Sequence, residues 1–192
     1  MVNANYFSIL TRFYCKIKNS YKKFYRDSNL YNKKISKTFN NQFRYKPSAY
    51  LLSSIIKYQK KKYKIEDFAI ETIWQNSINL KDYEKLNNFF WFFSLDLKSS
   101  KKTTQSVITN WINNNDRYNS KSWDFDITAK RIISWLSTHQ LSYEDASQEY
   151  RLKFDHIIQK QANHLLNEIN NSDEVENKMI GCAAIILTGL AY

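Results

Sequence analysis

Apolar side chains recur every three or four positions through the second half of the chain, a spacing that is typical of amphipathic helices. Stretches rich in Asn, Asp and Ser separate these patterns, and such residues favour turns and helix ends. The pattern predicts five helices, over residues 81–97, 103–113, 127–139, 143–170 and from about 174 to the end. Because short connections place consecutive helices antiparallel, we expect an all-α fold built from antiparallel helix pairs.

The first third of the chain has a different pattern. Apolar residues alternate with lysines at helical spacing and predict a basic amphipathic helix over residues 5–26; they are Tyr6, Ile9, Leu10, Phe13 and Ile17. Residues 27–49 are polar and predict an irregular segment. Ser48 is expected to cap a short helix over residues 51–56, and residues 63–69 are expected to be extended.

These patterns divide the chain into two parts. Residues 1–79 form a basic N-terminal helix with an irregular linker region, and residues 80–192 form a helical domain. The last helix is still apolar at Tyr192, with no Gly, Pro or polar stop near it. We therefore expect either that the helical domain is truncated at its C-terminus or that this helix packs its end against the body.

The composition also favours helices over sheets. Two glycines and one proline are too few for the tight turns of a β-sandwich or barrel. Gly181 and Gly189 alone cannot form a dinucleotide-binding or phosphate-binding loop, because both motifs need several glycines. Cys15 and Cys182 lie far apart and give no metal-binding spacing. We therefore expect no cofactor.

The formal charge of +11 is unevenly distributed. Residues 1–64 hold 16 of the 29 Lys and Arg residues and one of the 18 acidic residues, a formal charge of +15, whereas residues 65–192 carry −4. A basic segment of this kind suits an anionic partner, such as an anionic polysaccharide or a membrane surface. Nucleic acid is the less favoured polyanion, and a solvated basic face without a partner is the alternative.

The chain carries no recognisable targeting segment. Its N-terminus lacks the apolar region of a secretory signal, and the longest apolar run, residues 180–192, is too short to span a bilayer. We therefore expect no transmembrane segment, and the absence of a signal predicts a cytoplasmic location.

Few side chains have the spacing that catalysis or metal binding requires. His156 and His164 lie eight residues apart on one predicted helix, about 12 Å of rise, which is too far for one metal ion. His164 is expected to be hydrogen-bonded on a helix face, and it is also a candidate general base because its ordinary pKa lies near neutrality. The paired carboxylates fall at predicted helix starts and are expected to cap helices; they are Asp124 with Asp126, and Glu144 with Asp145.

Tryptophan is the most distinctive residue type, with five in the chain. Aromatic faces can stack on sugar rings or bases, and they also fill cores. Trp111 and Trp135 lie on inward-facing stripes and are expected in the core. Trp91 and Trp123 are less clearly inward, and we expect them to line a groove.

Three segments between residues 86 and 136 resemble the N-terminal domain of heparinase II/III-like proteins. Leu86-Asn87-Asn88-Phe89-Phe90-Trp91 is similar to that family's Leu-Asn-Arg-x-x-Trp segment, with Asn88 at the arginine position. Residues 107–112 resemble a family helix that ends in a Trp-Ile pair. Trp123 followed by residues 129–136 is similar to the family's Trp…Ala-x-Arg-x-x-x-Trp-Leu signature, in which Arg131 is the arginine. The spacing between the segments also matches.

The resemblance implies that residues 80–192 are part of an incomplete α/α toroid, which an antiparallel β-sandwich follows in complete family members. It implies a polysaccharide lyase that cleaves uronic-acid-containing glycans by β-elimination. The family's catalytic residues are expected beyond this chain, which would then be inactive alone. Because family lyases are often exported, the resemblance also implies a periplasmic location.

Five residues follow from the resemblance and the tryptophan pattern as candidate substrate-binding residues: Asn87, Asn88, Trp91, Trp123 and Arg131. For Arg131, a buried structural ion pair is an equal alternative. Two further functions remain open. The first is a non-enzymatic helical module whose basic N-terminal segment binds an anionic polymer or a membrane surface. The second is a structural helical domain without a ligand.

Overall fold

The computed structural model describes residues 3–37, 80–94 and 101–192. These residues form helices and short 3-10 turns and contain no strand, which confirms the all-α prediction. In chain order the elements are α1 (Asn3–Arg26), α2 (Asn29–Ile35), α3 (Leu80–Asn87), a 3-10 turn (Phe90–Ser94), α4 (Lys101–Asn115), α5 (Phe125–Ser137), α6 (His139–Ser142), α7 (Gln148–Glu168), a second 3-10 turn (Ile169–Asn171) and α8 (Val175–Ala191).

The core forms around α5, which packs against α7, α8 and the first 3-10 turn. Trp111 on α4 and Trp135 on α5 are fully buried, as their positions on inward-facing stripes predict. Their rings meet edge to face with centroids 5.5 Å apart. Phe89 packs edge-on against Trp135 at 5.0 Å, and the Phe154 ring of α7 lies 5.7 Å from the Trp135 ring. Aromatic rings thus join three helices and the turn after α3 in one core.

The prediction of one helix over residues 81–97 was wrong. Helix α3 ends at Asn87, and Phe89 has a φ of 58°, which lies in the left-handed region. The Phe89 carbonyl accepts a hydrogen bond from the Ser134 hydroxyl at 2.6 Å. The break lets Phe89, Phe90 and Phe92 all be buried, whereas one straight helix would turn part of this aromatic run towards solvent. Core packing therefore overrides the helical periodicity here.

Two predicted helix starts were also displaced. Helix α7 begins at Gln148 and not at residue 143, because Ser147 is its N-cap and accepts a hydrogen bond from the Tyr150 amide. Asp145 precedes it in a turn, with a φ of 58°. Helix α5 begins at Phe125 and not at residue 127, and Asp124 caps it by accepting a hydrogen bond from the Asp126 amide. The expectation that a carboxylate caps a helix is thus confirmed for Asp124, whereas Ser147 and not Glu144 or Asp145 caps α7.

The predicted helix over residues 5–26 is confirmed as α1. The segment after it was predicted to be irregular, and this was wrong for residues 29–35, which form α2. Ser28 caps α2 by accepting a hydrogen bond from the Tyr31 amide. Tyr31 and Ile35 lie one turn apart and are fully buried, and α2 packs against α7. Two apolar positions in a polar stretch were too weak a pattern to indicate a helix.

Several predictions concern residues outside the described ranges. They are the short helix after Ser48, the extended piece over residues 63–69, and the part of the predicted helix at residues 95–97. In the parts of the chain that the structure does describe, no helix combines the length and apolar character needed to cross a bilayer.

Candidate functional site

A fully buried arginine lies at the centre of the helical domain. Arg131 on α5 donates four hydrogen bonds, and all four acceptors are neutral. Its NH1 group donates to the carbonyl oxygens of Asn87 and Ser122, each at 2.9 Å. Its Nε donates to the Gln161 side chain at 2.8 Å, and NH2 donates to the Thr128 hydroxyl at 3.2 Å. The guanidinium thereby links α3, the loop before α5, and α7.

The same arginine stacks on the Trp111 indole, with its central carbon 3.9 Å from the ring centroid. The indole N–H of Trp111 donates to the Asn87 side-chain oxygen at 2.9 Å. Desolvation by burial lowers the pKa of Arg131 well below its usual value, yet a guanidinium stays protonated in proteins. Among the described residues no carboxylate pairs with it. Carbonyl dipoles and the indole face therefore stabilise this charge.

These contacts place Asn87 and Arg131 in one buried cluster, which we call the arginine cluster: Asn87, Trp111, Ser122, Thr128, Arg131 and Gln161. Asn87 and Arg131 expose 1% and 0% of their surface. Among the described residues, Arg131 forms neither the groove contact nor the ion pair expected for it, because its side chain is buried and these acceptors are neutral. The clustering of Asn87 with Arg131, 44 residues apart, is not visible in the spacing of the sequence.

The other candidate residues have different surroundings. The Asn88 side chain accepts a hydrogen bond from the Phe90 amide at 2.9 Å and stabilises the turn after α3. Trp91 is partly buried; its ring stacks near Phe89, and its N–H donates to the Leu86 carbonyl at 3.2 Å. Trp91 thus keeps part of its surface accessible, whereas Asn88 has a local structural contact.

A polar cleft of about 310 Å³ lies where the end of α1, the loop before α5 and the α7–α8 connection meet. Its lining combines aromatic rings with amide, hydroxyl and charged groups: Arg26, Tyr118, Ser120, Trp123, Asp124, Phe125, Asp126, His164, Glu168, Asn171, Ser172 and Asn177. Side chains of this kind can hydrogen-bond a hydroxyl-rich ligand and pack against its apolar faces. We call this site the polar cleft.

Trp123 contributes to the wall of the polar cleft but exposes only 1% of its surface. Its N–H donates to the Asn115 carbonyl at 2.8 Å, and its ring packs against His164 at 5.7 Å. A buried indole cannot offer its face to a sugar ring. The expected stacking surface is therefore better supplied by Tyr118, which is partly exposed.

His164 lies at the base of the polar cleft and is almost fully buried. Its Nε2 is 2.9 Å from the Trp123 carbonyl, and its Nδ1 is 2.7 Å from the Tyr31 hydroxyl. Because a carbonyl only accepts, Nε2 carries the proton and Nδ1 accepts from Tyr31. Burial lowers the pKa of His164 to about 3, and the hydrogen bond to Trp123 offsets this only in part. His164 is therefore a neutral structural histidine with both nitrogens occupied, and it is not placed to act as a general base.

An ion pair between Arg26 and Glu168 closes the α1 end of the polar cleft. The contact is bidentate: Arg26 Nε donates to Glu168 Oε1 at 3.1 Å, and NH2 donates to Oε2. Both side chains keep part of their surface in solvent, 25% for Arg26 and 12% for Glu168. Glu168, Asp124 and Asp126 outnumber the single guanidinium of the lining. An anionic ligand would thus be attracted at the Arg26 end of the lining.

No arrangement of metal ligands appears in the described ranges, where no three His, Cys, Asp or Glu side chains come together. Four residues around the polar cleft were not predicted as site residues from the sequence: Arg26, Tyr31, Tyr118 and Glu168. Arg26 was hidden among the many cations of the N-terminal segment, and Tyr31 lies 133 residues from His164. No local spacing could have indicated these pairs.

Comparison of the chain with protein-family models, with curated proteins and with solved structures finds no match.

Proposed function

We propose that residues 80–192 are the early helical part of a heparinase II/III-like polysaccharide lyase, and that the chain contributes glycan contacts in its polar cleft. The observation that carries the proposal is the arginine cluster. The three segments that resemble the family lie apart in the sequence, and they supply Asn87, Trp111 and Arg131. These residues bond directly to one another in the fold. The motif is therefore one structural unit, as expected if it defines a family's helical scaffold.

The polar cleft adjoins this unit through consecutive residues. The Ser122 carbonyl accepts a hydrogen bond from Arg131, and Trp123, the next residue, forms part of the cleft wall. The scaffold thus fixes the loop that shapes the cleft. Tyr118 offers an aromatic surface. The Asn171 amide already bonds to Lys22 and Glu168, and the Asn177 amide bonds to Glu174, but each NH2 group has a second N–H that can donate to a sugar hydroxyl.

Lyase chemistry needs a group that neutralises the uronate carboxylate, a base that removes the C5 proton and an acid that protonates the leaving O4. Of these roles, we assign the first to the polar cleft, through the guanidinium of Arg26. His164 is excluded as the base by its burial and its two hydrogen bonds. We therefore assign glycan binding, and no catalytic role, to the described residues.

Glu168 competes with a uronate for Arg26. A bound carboxylate must share or displace the existing bidentate contact, and it meets the negative charge of Glu168 as it does so. Removing this charge while keeping a side chain of the same size should therefore strengthen binding of a uronate, whereas removing Arg26 should weaken it. Opposite effects from the two partners of one ion pair would not arise from a loss of stability alone.

The test is calorimetric titration of the chain with a uronic-acid tetrasaccharide and with a neutral tetrasaccharide. We expect R26Q to weaken uronate binding about tenfold and E168Q to strengthen it several-fold, in line with one charge-assisted hydrogen bond. The matched control is K101Q, which removes a cation that pairs with Asp145 on another part of the surface. Equal binding of neutral and uronate sugars, or weakening by both R26Q and E168Q, would contradict the proposal.

A β-elimination assay complements the titration. The unsaturated uronate product absorbs ultraviolet light, so its formation can be followed directly. We expect the 192-residue chain to bind the glycan without forming this product. Product formation that survives R26Q would show that the glycan reacts elsewhere in the chain.

A further inference from the structure

Helix α1 exposes a long run of side chains. Every side chain from residue 11 to residue 20 is exposed. The hydrogen bonds that join α1 to α7 and the turn after it come from the last two turns of α1: Lys22 donates to Asn171, and Arg26 pairs with Glu168. Residues 11–20 of α1 therefore have no buried side chain.

The exposed part of α1 carries a continuous apolar stripe. Its five members each expose between 55% and 77% of their surface; they are Phe13, Tyr14, Ile17, Tyr21 and Phe24. At 3.6 residues per turn they lie on one side of the helix. Contiguous apolar surface of this kind is uncommon on a soluble protein unless something covers it.

Cations flank the stripe on both sides. Residues 3–26 contain six Lys and Arg residues and no acidic residue: Arg12, Lys16, Lys18, Lys22, Lys23 and Arg26. Helical spacing places Lys18 and Lys22 along one border of the stripe, and Arg12, Lys16 and Lys23 along the other. The helix thus presents an aromatic strip between two rows of positive charge.

We propose that α1 binds the surface of an anionic lipid bilayer, lying in the plane of the interface. A bilayer is the partner that satisfies both features at once, because the headgroups bind the two rows of cations while the acyl boundary covers the aromatic stripe. A polysaccharide or nucleic acid would bind the cations and leave the stripe in water. A second copy of α1 would bring the five cations that border its stripe against the five already there. The 24 residues of α1 span about 36 Å along the membrane surface.

This inference rests on α1 alone and is independent of the glycan proposal. The test is cosedimentation of the full chain with vesicles of phosphatidylcholine alone and with vesicles that also contain phosphatidylglycerol. We expect binding only to the vesicles with the anionic lipid, and we expect it to weaken as salt is added.

Two variants separate the apolar and the electrostatic contributions. F13S/I17S removes two members of the stripe, and we expect at least about tenfold weaker vesicle binding with unchanged glycan binding. K16Q/K23Q removes two cations, and we expect about 30-fold weaker binding at low salt. The control is L152S on α7, which removes an equally exposed leucine away from α1 and should bind as the wild type does.

Three results would overturn the inference. The first is equal binding to both kinds of vesicle. The second is wild-type vesicle binding by F13S/I17S, which would make α1 a general polyanion-binding surface. The third is a dimer that F13S/I17S dissociates, with no vesicle binding by the wild type. A thermal melt of each variant verifies the fold, and because the substituted side chains on α1 are exposed, we expect unchanged melting temperatures.

Discussion

Acid destabilisation through His164 follows directly from the geometry of the polar cleft. In the folded protein its pKa is lowered to about 3 by burial, from 6.5 in the unfolded chain. The unfolded state therefore takes up a proton first as the pH falls. The stability that His164 contributes is complete above about pH 6.5 and is lost progressively towards pH 3. Each pH unit in this window costs about 1.4 kcal/mol, so that a shift to about pH 4.5 costs about 3 kcal/mol.

The assay is urea unfolding followed by tryptophan fluorescence at about pH 7 and about pH 4.5. H164Q keeps a donor for the Trp123 carbonyl and removes the titratable group. We expect it to be less stable than the wild type at pH 7, and we expect the difference to shrink by about 3 kcal/mol at the lower pH. The control is H156Q, an exposed histidine on the same helix, which should keep most of the wild-type pH dependence. Parallel loss of stability by the wild type and H164Q would refute the reasoning.

Two further pairs of variants test the interior, both by urea unfolding. R131M leaves the Asn87 and Ser122 carbonyls without this donor and should lower the free energy of unfolding by about 3 kcal/mol. K130M on the same helix removes only a partly exposed ion pair with Asp126 and should lower it by under about 0.5 kcal/mol. An R131M variant as stable as the wild type would contradict the role assigned to Arg131. In G189A the added Cβ meets no atom within 4 Å, and the substitution should stabilise α8 by about 0.5–1 kcal/mol. In G181A the added Cβ would clash with the Phe125 ring, and the substitution should lower the free energy of unfolding by about 1–3 kcal/mol. Equal effects of the two substitutions would exclude this contact.

Sequence periodicity was sufficient for elements whose apolar residues face one neighbour. Helix α4 carries Val107, Ile108, Trp111 and Ile112 on one face, and the predicted span over residues 103–113 matches Lys101–Asn115 closely. The core positions of Trp111 and Trp135 followed from the same pattern. Each of these residues lies on a helix face that packs against one neighbour, so the spacing of apolar residues along the chain is enough to predict its burial.

Periodicity was insufficient where burial depends on partners far away in the chain. The aromatic run after Asn87 has no single inward face, and the left-handed Phe89 becomes favourable only because Trp111 and Trp135 are present to pack its ring. Arg131 was recognised from its motif, but three of its four neutral acceptors come from residues 9 to 44 positions away. The polar cleft is formed by residues that lie even farther apart in the sequence, since Arg26 and Glu168 are separated by 142 residues.

The glycan proposal is tested most directly by an NMR titration of the isotopically labelled chain with a uronic-acid tetrasaccharide. Backbone resonances report each residue separately, so that the polar cleft and α1 can be distinguished in one experiment. Saturable shifts that cluster at Tyr118, Asn171 and Asn177, and that persist in F13S/I17S, are the predicted result. An absence of shifts, or shifts confined to the cations of α1, would show that the polar cleft does not bind the glycan.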